Sequence, residues 1–199
     1  MPKPRRPSAT GWYHAIARGN NRQPVFLEKT DCQRFLIYLE QYRKLFSVAI
    51  SHYCLMPNHV HLLIFSEKLE SLSKYLHRVN LIYSWWYRKR YTFCGHLWQG
   101  RYHSFPIESE SYLLEAGRYI ERNPFQAGMV QDLMAYPWSS YRWYAYGETG
   151  EVDLTISPGY LAMGKTPQTR QGNYRLYVST HRPYDLAMGR KLSAMTTGA

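Results

Sequence analysis

Acidic residues are scarce in this chain: 14 Asp and Glu stand against 25 Lys and Arg over 199 residues, a formal net charge of +11. That imbalance argues against a cationic partner and favours a polyanion, with nucleic acid first. Cysteine is sparse as well. Cys32, Cys54 and Cys94 are odd in number and form no close pair, which excludes a disulfide framework and a cysteine zinc site and implies a reducing compartment. No run approaches the roughly 18 consecutive apolar residues of a membrane span. The basic start, Met1-Pro-Lys-Pro-Arg-Arg-Pro-Ser8, has no apolar stretch behind it. The expectation is therefore a soluble cytoplasmic protein, nucleoid-associated when bound to DNA and without a membrane partner. No internal repeat, low-complexity tract or Walker-type phosphate loop is present. What is abundant is aromatic: 19 Tyr, 6 Trp and 7 Phe exceed the needs of a core of this size and suit stacking on unpaired bases.

The length allows one domain with an appendage. Residues 1–10 read as a flexible basic arm, 11–145 as the functional domain and 146–199 as a basic C-terminal extension ending in a weakly structured tail. Within the domain, Trp12 to Ala17 alternates as a strand, followed by the turn-rich loop Arg18-Gly-Asn-Asn-Arg-Gln-Pro24. Phe35, Leu36, Leu39, Tyr42 and Leu45 follow helical spacing and predict a helix over 31–46, capped by Thr30 or Asp31. Ser47–Leu55 and His59–Phe65 read as a hairpin. Leu69–Tyr91 is a second helix, with Trp85 and Trp86 assigned to packing. Leu97–Ile107 is predicted as a final strand or extended piece. A third helix starts at Ser109 or Ser111 and runs to about Arg122, because a residue before proline avoids the helical region and Asn123-Pro124 follows. The order strand, helix, strand, strand, helix, strand, helix predicts an α+β fold: a ferredoxin-like sandwich, an antiparallel-rich sheet with helices packed on one face.

The chemistry centres on Met56-Pro-Asn-His-Val-His-Leu-Leu-Ile-Phe65. In a strand, His59 and His61 point to one face and offer two nitrogen ligands to one divalent metal. On the third helix Tyr119 and Asn123 share a face, one turn apart. If that face meets the histidines, His59, His61 and the Asn123 carbonyl oxygen form an open-sided site for Mg²⁺ or Mn²⁺, with Tyr119 beside it as a nucleophile. A phenol, with an ordinary pKa of about 10, attacks poorly at neutral pH, so the metal's task is to polarise and orient the scissile phosphate. With 19 tyrosines in the chain, chemistry alone does not single out one.

Family resemblance does. Met-Pro-Asn-His-Val-His-Leu-Leu-Ile from Met56, Leu-Trp-Gln-Gly-Arg-Tyr from Leu97, Tyr-Ile-Glu-Arg-Asn-Pro from Tyr119 and Ala127-Gly-Met-Val130 together resemble the HUH single-tyrosine (IS200-like) transposases. Within them the chain looks like the REP-associated tyrosine transposases, as do Trp138-Ser-Ser-Tyr141, Tyr160-Leu161 and Arg170-Gln-Gly-Asn-Tyr174 further on. The resemblance implies Tyr119 as nucleophile and His59 and His61 as metal ligands. It also implies a third, helix-borne ligand, a Gln in some relatives, that falls on Asn123. The implied reaction cleaves and rejoins single-stranded DNA at hairpins through a covalent 5′-phosphotyrosine, with a free 3′-OH and no ATP. Arg18, Asn20, Asn21 and Arg22 in the first loop, Arg88, Lys89 and Arg90 on the second helix, and Arg101 are candidate DNA contacts. His52, His77, His96 and His103 lack comparable spacing and are set aside. Two alternatives stay open: a domesticated, non-catalytic hairpin-binding protein, and a rolling-circle or relaxase-type nicking enzyme. Monomer and homodimer are equally compatible with the sequence.

Overall fold

Four antiparallel strands form the centre of the computed structural model, which describes residues 6–180; residues 1–5 of the basic arm and 181–199 of the extension lie outside the described residues. β1 (Trp12–Arg18), β2 (Ala49–Met56), β3 (His59–Phe65) and β4 (His103–Pro106) pair in the order β2-β3-β1-β4. The hairpin between β2 and β3 closes on Pro57 and Asn58, so that Met56 lies opposite His59. Arg18 lies opposite His59 from the other side, and Ile16 opposite His61.

The alternation of β3 sorts its side chains into two layers. Val60, Leu62 and Ile64 join Phe35, Leu36 and Leu39 of α1 (Lys29–Arg43) and Leu72, Tyr75, Leu76 and Val79 of α2 (Leu69–Tyr91) in the larger core. Leu63 faces the other way, into a second cluster with Cys54 and Met56 of β2 and Leu113, Ala116, Tyr119 and Ile120 of α3 (Glu110–Gln126). The helices therefore occupy both faces of the sheet, not one as the element order alone predicts. Local pattern marks a helix as amphipathic but carries no information on which face of a two-sided apolar sheet it will cover.

Three boundaries differ from the sequence expectation for identifiable reasons. α1 ends at Arg43, because Ser47 takes a left-handed conformation with φ +51° before β2. The segment from Leu97 is loop, not strand, apart from a single bridge of Trp98 to Gly19; Gly100, at φ +65°, turns the chain before the short β4 begins at His103. α3 runs through Pro124 to Gln126 and is ended by Gly128 at φ +67°.

The extension carries more structure than its composition suggests. Its helices α5 (Pro158–Leu161) and α6 (Pro167–Ser179) bring Tyr160, Tyr174 and Val178 into the larger core, beside Tyr144 of α4 (Tyr141–Tyr146), the helix at the end of the preceding domain. α6 also grips α3: guanidinium Nη1 of Arg122 donates to the Val178 carbonyl at 2.6 Å, and Arg118 donates to the Thr180 carbonyl. Both cations thus sit at the carbonyl-rich C-terminal end of α6, where the helix dipole favours them.

Candidate active site

On the α3 side of the sheet, β3 presents His59 and His61 with ring centroids 4.9 Å apart, as period 2 requires. α3 brings Tyr119 to them: its ring lies edge-on to His61 at 6.1 Å, and it is 3% exposed. The close approach depends on small residues along the helix. Ala116 is fully buried, and a Cβ placed on Gly117 would fall 2.5 Å from His52 Nε2 on β2. His52 is a packing residue. Its ring stacks on Tyr144 at 4.2 Å and 1°, and Nδ1 lies 2.9 Å from the Ser51 hydroxyl.

A further histidine, absent from the sequence-derived site, completes the cluster. His14 on β1 is fully buried, and its Nε2 lies 2.9 Å from Nδ1 of His61. Its ring is also 5.9 Å from that of Tyr119. The alternating strand Trp12-Tyr-His-Ala-Ile16 places His14 on the α3 face, but nothing in the local sequence says that β1 pairs with β3 and sets this ring beside His61.

The donor chemistry of the pair suits a divalent cation. Asn58 Oδ1 lies 2.6 Å from His59 Nδ1, which as N–H donates to it and leaves the Nε2 lone pair of His59 available. With Nδ1–H of His61 donating to His14, Nε2 of His61 also keeps its lone pair; that atom is buried and has no hydrogen-bond partner. Such outer hydrogen bonds are what orient metal-bound imidazoles. Both rings are held neutral. Burial, and then the positive charge of Arg18, lowers the His59 pKa to about 4. His61 is pushed well below the ordinary value, first by burial and then by His59, His14 and Arg18. Among the described residues no group of three or more His, Cys, Asp or Glu side chains is arranged to hold a metal ion.

Asn123 stands one turn beyond Tyr119, and its Nδ2 turns back onto the helix, donating to the carbonyls of Tyr119 at 2.9 Å and Ile120 at 3.2 Å. Pro124 has no N–H to give the Ile120 carbonyl four residues earlier. The Asn123 amide replaces that donor, which is why α3 continues where the Asn-Pro pair predicts an end. Oδ1 is the only Asn123 side-chain atom left as a ligand.

The candidate DNA contacts divide by environment. Asn20, Asn21, Arg22, Arg88, Lys89 and Arg101 are exposed. Arg18 is half-buried next to His59, and Asn58 Nδ2 donates to the Arg22 carbonyl, so the first loop is tied to the histidine end of the sheet. Arg90 differs: it forms an ion pair with Glu28 at 2.5 Å and lies 5.6 Å above the Trp86 ring, locking the end of α2 to the start of α1. Trp85 reverses the sequence expectation. It is 56% exposed, while Trp86 packs against the core. Adjacent helical residues point about 100° apart, so a broad apolar stripe does not determine which of the two is covered.

Residues 8–123 match the model of the IS200-like transposases, a span covering more than half of the chain. The chain belongs to that family. Its members are single-tyrosine DNA strand transferases that use divalent metal. The IS200-like fold is also that of a solved REP-associated tyrosine transposase bound to a REP hairpin, at a TM-score of 0.59 and 18% identity over 79% of this chain and 93% of that one. A candidate transposase from Deinococcus radiodurans R1 matches 61% of this chain and 97% of its own, with a TM-score of 0.43 and 17% identity. No curated protein sequence matches this IS200-like chain.

Proposed function

We propose that this IS200-like transposase belongs to the REP-associated branch and cleaves and rejoins single-stranded DNA at hairpin sequences, with Tyr119 as the nucleophile. The observation that carries the proposal is the convergence of Tyr119, from α3, with His59 and His61, from β3, on one face of the sheet. The hairpin bound to the solved transposase of similar fold supports a folded single strand as the ligand. The absence of a membrane-crossing helix among the described residues is compatible with action on chromosomal DNA in the cytoplasm.

In the reaction the Tyr119 Oη–P bond forms as the P–O3′ bond breaks. The phenol proton ends on the released 3′ oxygen, and the DNA 5′-phosphate stays on the enzyme. Because one phosphodiester replaces another, rejoining is the same step in reverse and needs no nucleotide. Nε2 of His59, Nε2 of His61 and Oδ1 of Asn123 would hold a Mg²⁺ or Mn²⁺ ion, which would supply Lewis-acid polarisation of the phosphate. His14 holds His61 in the ligating tautomer, and Asn58 does the same for His59. Arg18, beside His59, is the cation best placed to bind the phosphate being cleaved. Asn20, Asn21, Arg22, Arg88, Lys89 and Arg101 contribute to positioning the remaining backbone.

The test is covalent capture. A labelled single-stranded hairpin oligonucleotide, incubated with Mg²⁺, Mn²⁺ or chelator, is resolved by denaturing electrophoresis. A metal-dependent adduct that disappears in Tyr119→Phe is expected. Hairpin binding without any adduct across both metals would indicate a non-catalytic binder, and an adduct persisting in Tyr119→Phe would move the nucleophile elsewhere.

A further inference from the structure

α3 lies between two surfaces that grip it differently. Toward the sheet, Ala116, Tyr119 and Ile120 pack with Cys54, Met56 and Leu63, an apolar contact without direction. Away from it stand Arg118, Glu121 and Arg122, spaced i, i+3 and i+4 and therefore on one side of the helix. All three are buried, and all three make directional bonds. Arg118 donates to the Thr180 carbonyl and Arg122 Nη1 to the Val178 carbonyl at 2.6 Å, both at the end of α6. One Glu121 oxygen accepts the Tyr174 hydroxyl of α6 at 2.7 Å, and the other accepts the Ser140 hydroxyl at 2.6 Å. Ser140 Oγ in turn accepts the Tyr53 N–H at 3.0 Å. Tyr53 lies on β2 next to Cys54, the register partner of His61, so the bonds that run from α6 through Glu121 end one residue from the position opposite a ligand histidine.

Stability alone does not call for this arrangement. Apolar side chains of similar volume often replace buried ions with no loss of stability, whereas directional bonds fix one geometry. What they fix here is the rotation of α3 about its axis. A side-chain tip about 5–6 Å from a helix axis moves roughly 1 Å when the helix turns by about 10°. A misplacement of about 1 Å costs on the order of 10²-fold in rate. We propose that α6 is a strap that positions the nucleophile: Tyr174 and the Val178 and Thr180 carbonyls, acting through Glu121, Arg122 and Arg118, set the rotation of α3 at which Tyr119 meets the phosphate. These side chains act through Tyr119 and are positioning residues. The inference rests on the reading of Tyr119 as the nucleophile that cleaves DNA, and it gives the C-terminal extension a part in the reaction separate from DNA binding.

Tyr174→Phe tests it by deleting one hydroxyl from the strap and keeping the ring. With the full chain, adduct formation is timed in a single turnover at saturating labelled hairpin with Mn²⁺, hairpin affinity is measured by fluorescence anisotropy, and amide exchange along α3 is followed by mass spectrometry. The adduct rate is expected to fall about tenfold, inside the range that such a displacement costs, with unchanged hairpin affinity and faster exchange in the peptide that contains Tyr119. Arg122→Met should behave alike, and Arg122→Lys, which keeps a donor for the Val178 carbonyl, should recover part of the rate. Val79→Ala, which opens a cavity in the core on the opposite face of the sheet, is the control: it should lower the urea midpoint and leave the adduct rate unchanged. An unaltered rate in both Tyr174→Phe and Arg122→Met, unaltered exchange along α3, or an equal rate loss in Val79→Ala would each overturn the strap. The two readings fail separately: a wild type that forms no adduct removes the cleavage reading and the strap's role with it, whereas a wild-type adduct at Tyr119 whose rate ignores Tyr174 and Arg122 removes the strap alone.

Discussion

Replacing His14 with phenylalanine keeps a ring on β1 but removes the nitrogen that faces His61 Nδ1. The buried His61 N–H is then left without an acceptor, at a cost of about 1–3 kcal/mol in stability. Its ring is also free to turn its ligand nitrogen away. His14→Phe should therefore weaken Mn²⁺ binding about tenfold by calorimetry, in line with outer hydrogen-bond partners at other metal sites. Unchanged affinity would reduce His14 to a packing residue. Gly117 makes an independent test of the approach of α3 to the sheet. In an exposed helix, glycine to alanine is stabilising by about 0.5–1 kcal/mol. Here the added methyl would sit 2.5 Å from His52 Nε2, inside a ring held by Tyr144 and Ser51. Gly117→Ala should destabilise by about 1–3 kcal/mol, and the displaced helix should lower adduct yield at Tyr119; the double variant Gly117→Ala/His52→Ala should regain part of the stability lost by Gly117→Ala alone. A stabilised Gly117→Ala protein in urea unfolding would contradict the tight contact.

At the scale of the element, the turn of α3 that follows Tyr119 is held by two sets of contacts. Downstream of Tyr119, the Asn123 amide substitutes for the missing Pro124 N–H. Asn123→Ala should cost about 1 kcal/mol, seen as a lower urea midpoint, and should weaken Mn²⁺ binding if Oδ1 is the third ligand; a stability loss with unchanged metal affinity would assign Asn123 to the helix alone. Behind Tyr119, the buried Glu121 carboxyl accepts the Ser140 hydroxyl at 2.6 Å and the Tyr174 hydroxyl at 2.7 Å, joining α3 to α6. Burial raises its pKa to about 8, against the opposing pull of the two hydroxyls. A carboxyl with a raised folded-state pKa contributes stability that is complete below the unfolded value near 4.5 and is lost as pH climbs through about 8. Glu121→Gln removes that loss. The wild type should accordingly lose more stability than Glu121→Gln between pH 5 and pH 8 in parallel urea titrations, and identical pH slopes would show that the carboxyl is ionised across the range.

For the molecule as a whole, the net charge of +11 and the exposed Arg22, Arg88, Lys89 and Arg101 predict binding dominated by phosphate contacts. The affinity for a single-stranded hairpin should fall linearly in log–log form with salt, with a slope of about −0.7 per phosphate neutralised. Arg101→Ala should make the slope shallower by nearly that amount, while Arg90→Ala, whose charge is already paired with Glu28, should change stability more than slope. A flat salt response would detach the basic surface from function altogether.

That His59 and His61 share one face of a strand, and that Tyr119 lies on a helix, was legible from one dimension; that the two meet was not. Strand alternation aligns the two histidines, and the Tyr-Ile-Glu-Arg-Asn-Pro motif singles out one tyrosine among many. The sheet's antiparallel character and its first two helices were legible too, because turn residues and the switch between periods 2 and 3.6 are local signals. What only the tertiary structure decided depends on contacts between distant segments. Pairing of β1 with β3 sets His14 against His61, 47 residues apart in sequence. Packing places α3 on the face opposite α1 and α2 and chooses Trp85 over Trp86 for exposure. A side chain folding back on its own helix carries α3 through a proline. Local propensity states which conformations a segment tolerates; which of them it adopts, and what it then touches, is settled by the apolar surface that only the assembled sheet provides.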